Sequence, residues 1–180
     1  MRWTVTIIYI LTIYSTLGIV RSLTESIRAT GNLRILTVLL VGLFLFFLIF
    51  SRQGKITGKP FILRLILAGC FISLANIVAR MPEERMHLIE YGLLGWLIGW
   101  SLEGCRMTVG RVCLAITLGW SIGLGDEIIQ YFLPNRVYDL RDVILNGLSV
   151  TLGLLFFLTS KAGCPHKGSR CTLKNKRTEE

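Results

Sequence analysis

I-L-T-V-L-L-V-G-L-F-L-F-F-L-I-F, residues 35–50, carries no charge, and Thr37 is its one hydroxyl. A helix of a soluble bundle alternates an apolar stripe with a polar face; this block has no polar face, so only hydrocarbon solvates it on all sides. Working outward, similar blocks occupy 3–20, 61–79, 86–102, 112–125 and 140–158. The pattern predicts an all-α fold, a polytopic transmembrane helical bundle of about six spans. Blocks 35–50 and 112–125 are short for a hydrocarbon core of about 30 Å at about 1.5 Å per residue, so both helices are expected to extend into their flanks. Arg64, one turn into the third span, is expected to snorkel to the nearer interface.

Composition agrees. The chain is 52% apolar and 17% charged, too greasy for an ordinary soluble domain. Its net charge of +9 does not indicate a nucleic-acid partner, because the basic residues sit in short loops and in the last twenty positions rather than in one aromatic-laced groove. The five cysteines (Cys70, Cys105, Cys113, Cys164 and Cys171) are odd in number and two lie within apolar blocks, which argues against a disulfide framework. The first block is followed by Arg21 and lacks a small-x-small cleavage site, so it reads as an uncleaved span. Short connections hold residues 1–160 together as one unit, followed by a basic, disordered tail at 161–180.

Thirteen of the twenty Lys and Arg fall in the N-terminus, the second-to-third and fourth-to-fifth connections and the tail; the other three connections hold seven. The positive-inside bias then puts both termini in the cytoplasm, and segments 80–87 and 126–142 on the outer side.

Polar residues concentrate in those two segments. The fourth span begins M-P-E-E-R-M-H-L-I-E-Y, with Pro82 suited to a first helical position and Glu83 and Glu84 to the positive end of the helix dipole. Glu83, His87, Glu90, Tyr91 and Leu94 share one face. Glu90 lies about 7–8 Å deeper than Arg85 and there must find a partner or give up its charge. Pairing of His87 with Glu90 as structural polar glue is the plainest reading. The second segment is G-L-G-D-E-I-I-Q-Y-F-L-P-N-R-V-Y-D-L-R-D-V-I-L-N-G, residues 123–147. Asp126, Glu127 and Gln130 close the fifth span, Pro134-Asn135 makes the turn, and Asp139 is an N-cap with Asp142 in capping-box position. Asn146 follows one turn below Asp142. Glu90, Glu127, Arg136 and Asp142 are expected to form one coupled network pivoting on Glu90. Gly95 with Gly99, and Gly119 with Gly123, have the G-x-x-x-G spacing of close helix packing, and Gly147 and Gly153 offer the same on the sixth span.

On these residues the chain resembles the VanZ-like family: H-L-I-E-Y at 87–91, D-E-I-I-Q-Y-F-L-P-N-R at 126–136, D-L-R-D at 139–142 and Asn146-Gly147, a match covering 81–153. The family is named for an accessory protein of glycopeptide resistance that lowers sensitivity to teicoplanin. The resemblance implies a multi-pass protein of the bacterial inner (plasma) membrane, acting at the cell envelope.

Two kinds of function fit. The first is a non-enzymatic protein whose outer-face site binds a lipid-linked or amphiphilic ligand, such as a membrane lipid or lipid-linked cell-wall component. His87, Glu90, Tyr91, Asp126, Glu127, Gln130, Arg136, Asp139, Asp142 and Asn146 would line it, Arg136 and Arg141 would hold phosphate, and Tyr91, Tyr131 and Tyr138 would sit at headgroup depth. The alternative is a metal-assisted intramembrane hydrolase or transferase drawing ligands and a base from the same acids and His87. No recognisable metal-ligand set, G-x-S-x-G or P-loop occurs in the spans, so no cofactor is expected. A proton-relaying transporter is disfavoured by six short spans without an internal repeat. Cys164, His166 and Cys171 in the tail offer three metal ligands, but a basic membrane-surface segment is the simpler reading.

Overall fold

Long uncharged runs free of internal proline propagate as helix until a proline, glycine or charge cluster stops them. The computed structural model describes residues 1–29, 32–50, 58–79, 81–102, 107–132 and 139–162. They form α1 (Arg2–Ala29), α2 (Leu33–Phe50), α3 (Lys59–Ser73, continued by one wide π-turn, Leu74–Val78), α4 (Pro82–Ser101), α5 (Val109–Tyr131) and α6 (Leu140–Ala162). No strand occurs among the described residues. α2, α3 with its π-turn, α5 and α6 are long and apolar enough to cross a membrane. α1 and α4 complete the bundle, α4 carrying Glu84, Arg85, His87 and Glu90 in its first half. Both short blocks do extend: α2 starts at Leu33, and α5 runs from Val109 to Tyr131. α6 continues to Ala162, two residues into the expected tail; residues 163–180 lie outside the described residues.

The outer surface is apolar as well as the interior. Ile35, Val38, Leu39, Leu43 and Phe46 of α2 and Ile62, Leu65 and Ile66 of α3 point outward. In water such a face would aggregate; in lipid it is the solvated face.

The interior is organised around α6. One apolar cluster joins Phe44 and Leu48 of α2 and Phe71 of α3 to Leu88 of α4 and to Leu145 and Phe156 of α6. A second joins Ile13 of α1, Leu94 and Ile98 of α4 and Ala115 of α5 to Val150 and Leu154 of α6. α6 therefore sits between the two, and its most extensive contact is with α4. Those two helices meet backbone to backbone: a Cβ added at Gly95 would collide with the Val150 carbonyl, and one at Gly153 with the Gly92 carbonyl. Gly99 faces the Phe157 ring, while from α5 Gly119 faces Val150 and Gly123 faces Asn146. The G-x-x-x-G pairs thus both look at α6. A Cβ at Gly42 would have nothing within 4 Å.

Arg64 is only 5% exposed, and its Nη1 donates to the Ile49 carbonyl at 2.8 Å. A helix end leaves its last carbonyls without intrahelical partners, so the end of α2 offers the guanidinium an acceptor.

Cross-helix bonds fix which ends coincide. Thr6 Oγ1 meets Ser101 Oγ at 2.8 Å, placing the start of α1 beside the end of α4. Arg85 Nε donates to the Ala75 carbonyl at 3.2 Å, placing the end of α3 beside the start of α4. The helices alternate in direction, so the starts of α4 and α6 and the end of α5 share one end of the bundle.

Candidate functional site: a buried carboxylate cluster at one end of the bundle

α5 carries one buried stripe, Ala115, Gly119, Gly123, Asp126, Glu127 and Gln130. Its spacing of four, four, three or four, then three or four keeps every member on one helix face. The first half is small and lets α6 approach; the second half is polar and meets α4 and α6 where they begin. Packing that admits the helix also buries the acids.

Asp126 is completely buried, and neither carboxylate oxygen has a hydrogen-bond partner. α4 and α1 supply its neighbours, and α6 packs one turn away at Gly123. From α4, His87 Nδ1 lies 3.9 Å from Asp126 Oδ2 and 3.6 Å from Glu90 Oε2, so the imidazole stands between two carboxylates. Tyr91, also of α4 and fully buried, brings its hydroxyl within reach of Asp126 without a hydrogen bond of ordinary geometry. From α1, Tyr14 lies close enough to interact with the Asp126 charge and donates its hydroxyl to the Ile122 carbonyl at 2.9 Å. From α6, Asn146 is fully buried, packs on Gly123, and has both amide atoms unpartnered. Leaving such groups unsatisfied in an apolar interior costs about 1–3 kcal/mol each, and buried polar groups are as a rule bonded. Asp126, Tyr91 and Asn146 together carry several such open hydrogen-bonding positions.

The remaining residues fall around this centre. Glu127, one turn from Gly123, accepts from Gln130 Nε2 at 3.4 Å, and both are buried. Glu90 is partly exposed, and its backbone carbonyl accepts from the Tyr9 hydroxyl at 3.1 Å. Asp139 caps α6, its Oδ1 accepting from the Arg141 backbone N–H at 2.9 Å, and Asp142 stands in the first turn. Arg141 Nη2 is engaged by Glu84 Oε2 at 3.1 Å. Arg136, Pro134, Asn135 and Tyr138 lie outside the described residues, as does the side chain of Glu83. Among the described residues, no three His, Cys, Asp or Glu side chains are grouped to hold a metal ion.

The most buried acid is Asp126, not Glu90: helical rise measures depth along α4, but the packing of neighbouring helices on the α5 stripe decides burial. Tyr91 is enclosed in the core, whereas Tyr131 is exposed. Tyr9 and Tyr14 of α1 were not legible as site neighbours; two tyrosines five apart in an apolar helix signal little until α1 is seen to cross α4 and α5. Gly92 likewise joins the α4–α6 seam although it stands outside the G-x-x-x-G pair.

An α-helical membrane bundle with a polar, acid-rich centre buried at one end is the class these features define. The chain belongs to the VanZ/LLP1 family, whose pattern matches residues 3–161 and so extends over the first three helices as well as the motif-bearing second half. It is also similar to a Schizosaccharomyces pombe protein named "Uncharacterized protein C11E3.10", with 27% identity over 109 residues. That likeness covers 61% of this chain and 66% of the yeast protein, just under two thirds of its length. No solved structure matches.

Proposed function

We propose that this VanZ-family membrane protein binds the polar head of an amphiphile, a membrane lipid or lipid-linked envelope component, at the end of the bundle where α4 and α6 begin. The observation that carries this is the open hydrogen-bonding capacity of Asp126, Tyr91 and Asn146, buried yet beside the partly exposed Glu90. A ligand entering past Glu90 would satisfy groups that otherwise destabilise the fold, and its acyl part would remain in the hydrocarbon that already covers the outer faces. The excess of Lys and Arg on the opposite side supports an outward-facing site in a bacterial inner membrane, with both termini cytoplasmic. The family's link to teicoplanin sensitivity is consistent with a ligand of the cell surface.

The test is to purify the wild type and the Asp126→Asn and Arg136→Ala variants in mild detergent and identify the retained lipids by mass spectrometry. One lipid class enriched with the wild type and lost from Asp126→Asn is the expected result. The same bulk lipid composition in all three preparations would refute the proposal.

A further inference from the structure

The open valences at the centre of the bundle have a definite chemical character. Both Asp126 oxygens are acceptors, Asn146 Oδ1 is another, and the Tyr91 oxygen can be a fourth; none has a hydrogen-bond partner. Charge points the same way. Glu90 and Asp126 are two carboxylates flanking one imidazole, His87. At the starts of α4 and α6, Arg141 is engaged by Glu84 and Arg85 by the Ala75 carbonyl. An anionic group placed here would face like charge in a low dielectric, and a neutral hydroxyl would satisfy one acceptor while leaving the excess charge.

We propose that the group received is a primary ammonium carried on a lipid headgroup; the inference rests on the amphiphile reading above and narrows it. An –NH₃⁺ brings three donors and no acceptor. Two can go to the Asp126 carboxylate and the third to Asn146 Oδ1, with charge-assisted bonds stronger than neutral ones. Access is graded: Glu90 is partly exposed, His87 less so, and Asp126 is closed off, so the ammonium passes from one carboxylate to the next as it leaves water. A quaternary ammonium lacks the N–H donors and would leave every acceptor open. The rest of the headgroup stays at the interface, where water solvates it.

The experiment measures thermal unfolding of the full-length protein in detergent by tryptophan fluorescence. The probes are short-chain phosphatidylethanolamine, phosphatidylcholine and phosphatidylglycerol, free ethanolamine, and sodium chloride. Phosphatidylethanolamine at about a hundredfold over its Kd should raise the Tm by about 5–10 °C, with phosphatidylcholine and free ethanolamine giving far less. Asp126→Asn should abolish the shift, and Glu90→Gln, at the mouth, should weaken binding severalfold. Equal shifts from the ethanolamine and choline lipids, or a full shift in Asp126→Asn, would overturn the ammonium assignment. A full response to free ethanolamine would move the ligand from lipid to soluble amine, and a full response to sodium would make it an inorganic cation; either result refutes the proposal as stated. A shift from phosphatidylglycerol alone would refute the ammonium and leave the amphiphile reading standing, whereas no shift from any lipid would remove both.

Discussion

Gly95→Ala adds a single methyl group at the seam where α4 and α6 touch, and its cost can be worked from what that methyl meets. Its neighbour is the Val150 carbonyl oxygen, a backbone atom that no rotamer change can move. The helices must part, and a separation of about 1 Å forfeits about a quarter to a half of the dispersion well of each atom pair along the seam. Overpacking of this kind costs about 1–3 kcal/mol, and a backbone collision belongs at the upper end. Gly42→Ala is the matched control: its methyl meets nothing within 4 Å, and alanine is favoured over glycine in a helix by about 1 kcal/mol. That helix preference applies to both substitutions and cancels, so they should differ by about 3 kcal/mol, roughly a hundred- to two-hundredfold in the folding equilibrium, or about 6–12 °C in Tm for a chain of this size. Thermal unfolding in detergent, followed by tryptophan fluorescence, reads the difference directly. Equal Tm for Gly95→Ala and Gly42→Ala would mean that α4 and α6 do not meet as described.

Gly153→Ala strikes the Gly92 carbonyl in the same seam; combined with Gly95→Ala it should cost less than the sum of the two, by about 0.5–3 kcal/mol in an unfolding mutant cycle. Asp139→Ala should destabilise by about 1 kcal/mol through loss of the α6 cap, with Asp139→Ser restoring most of it in the same unfolding assay. Arg64→Met removes a donor to the Ile49 carbonyl, and should cost about 1.5–3 kcal/mol without changing lipid retention. For orientation, a cysteine introduced at Asn135 should react with an impermeant maleimide on intact cells while Cys105 stays protected; the reverse pattern would place the site on the cytoplasmic side.

Much of the bundle is legible along the chain because lipid imposes a simple rule: a run such as 35–50 has one solvent it can live in. Asp126, Glu127 and Gln130 are legible as well, since carboxylates at the end of an apolar block require a reason. What could not be read was which helix each face meets. Spacing fixes that Gly95 and Gly99 look the same way, not that α6 is what they see, and it gives no hint that Tyr14 reaches Asp126 from the other end of the sequence. The partner of Arg64 was hidden for a related reason: the carbonyl it reaches belongs to the preceding helix. Depth along one helix was likewise a poor guide to burial, so Glu90 was ranked above Asp126.

The central place of α6 has a consequence for biogenesis. It is the last of the six described helices to leave the ribosome, yet the other helices pack around it. Until it inserts, the glycine faces of α4 and α5 lack the helix they pack against, and Gly123, one turn from Asp126, lacks its contact with Asn146. The earlier helices can therefore enter the membrane one by one but cannot close into a finished bundle. Any chain interrupted before residue 140 would be left with an open acidic seam facing lipid, the kind of exposed polar surface by which membrane proteases distinguish unfinished proteins from completed ones.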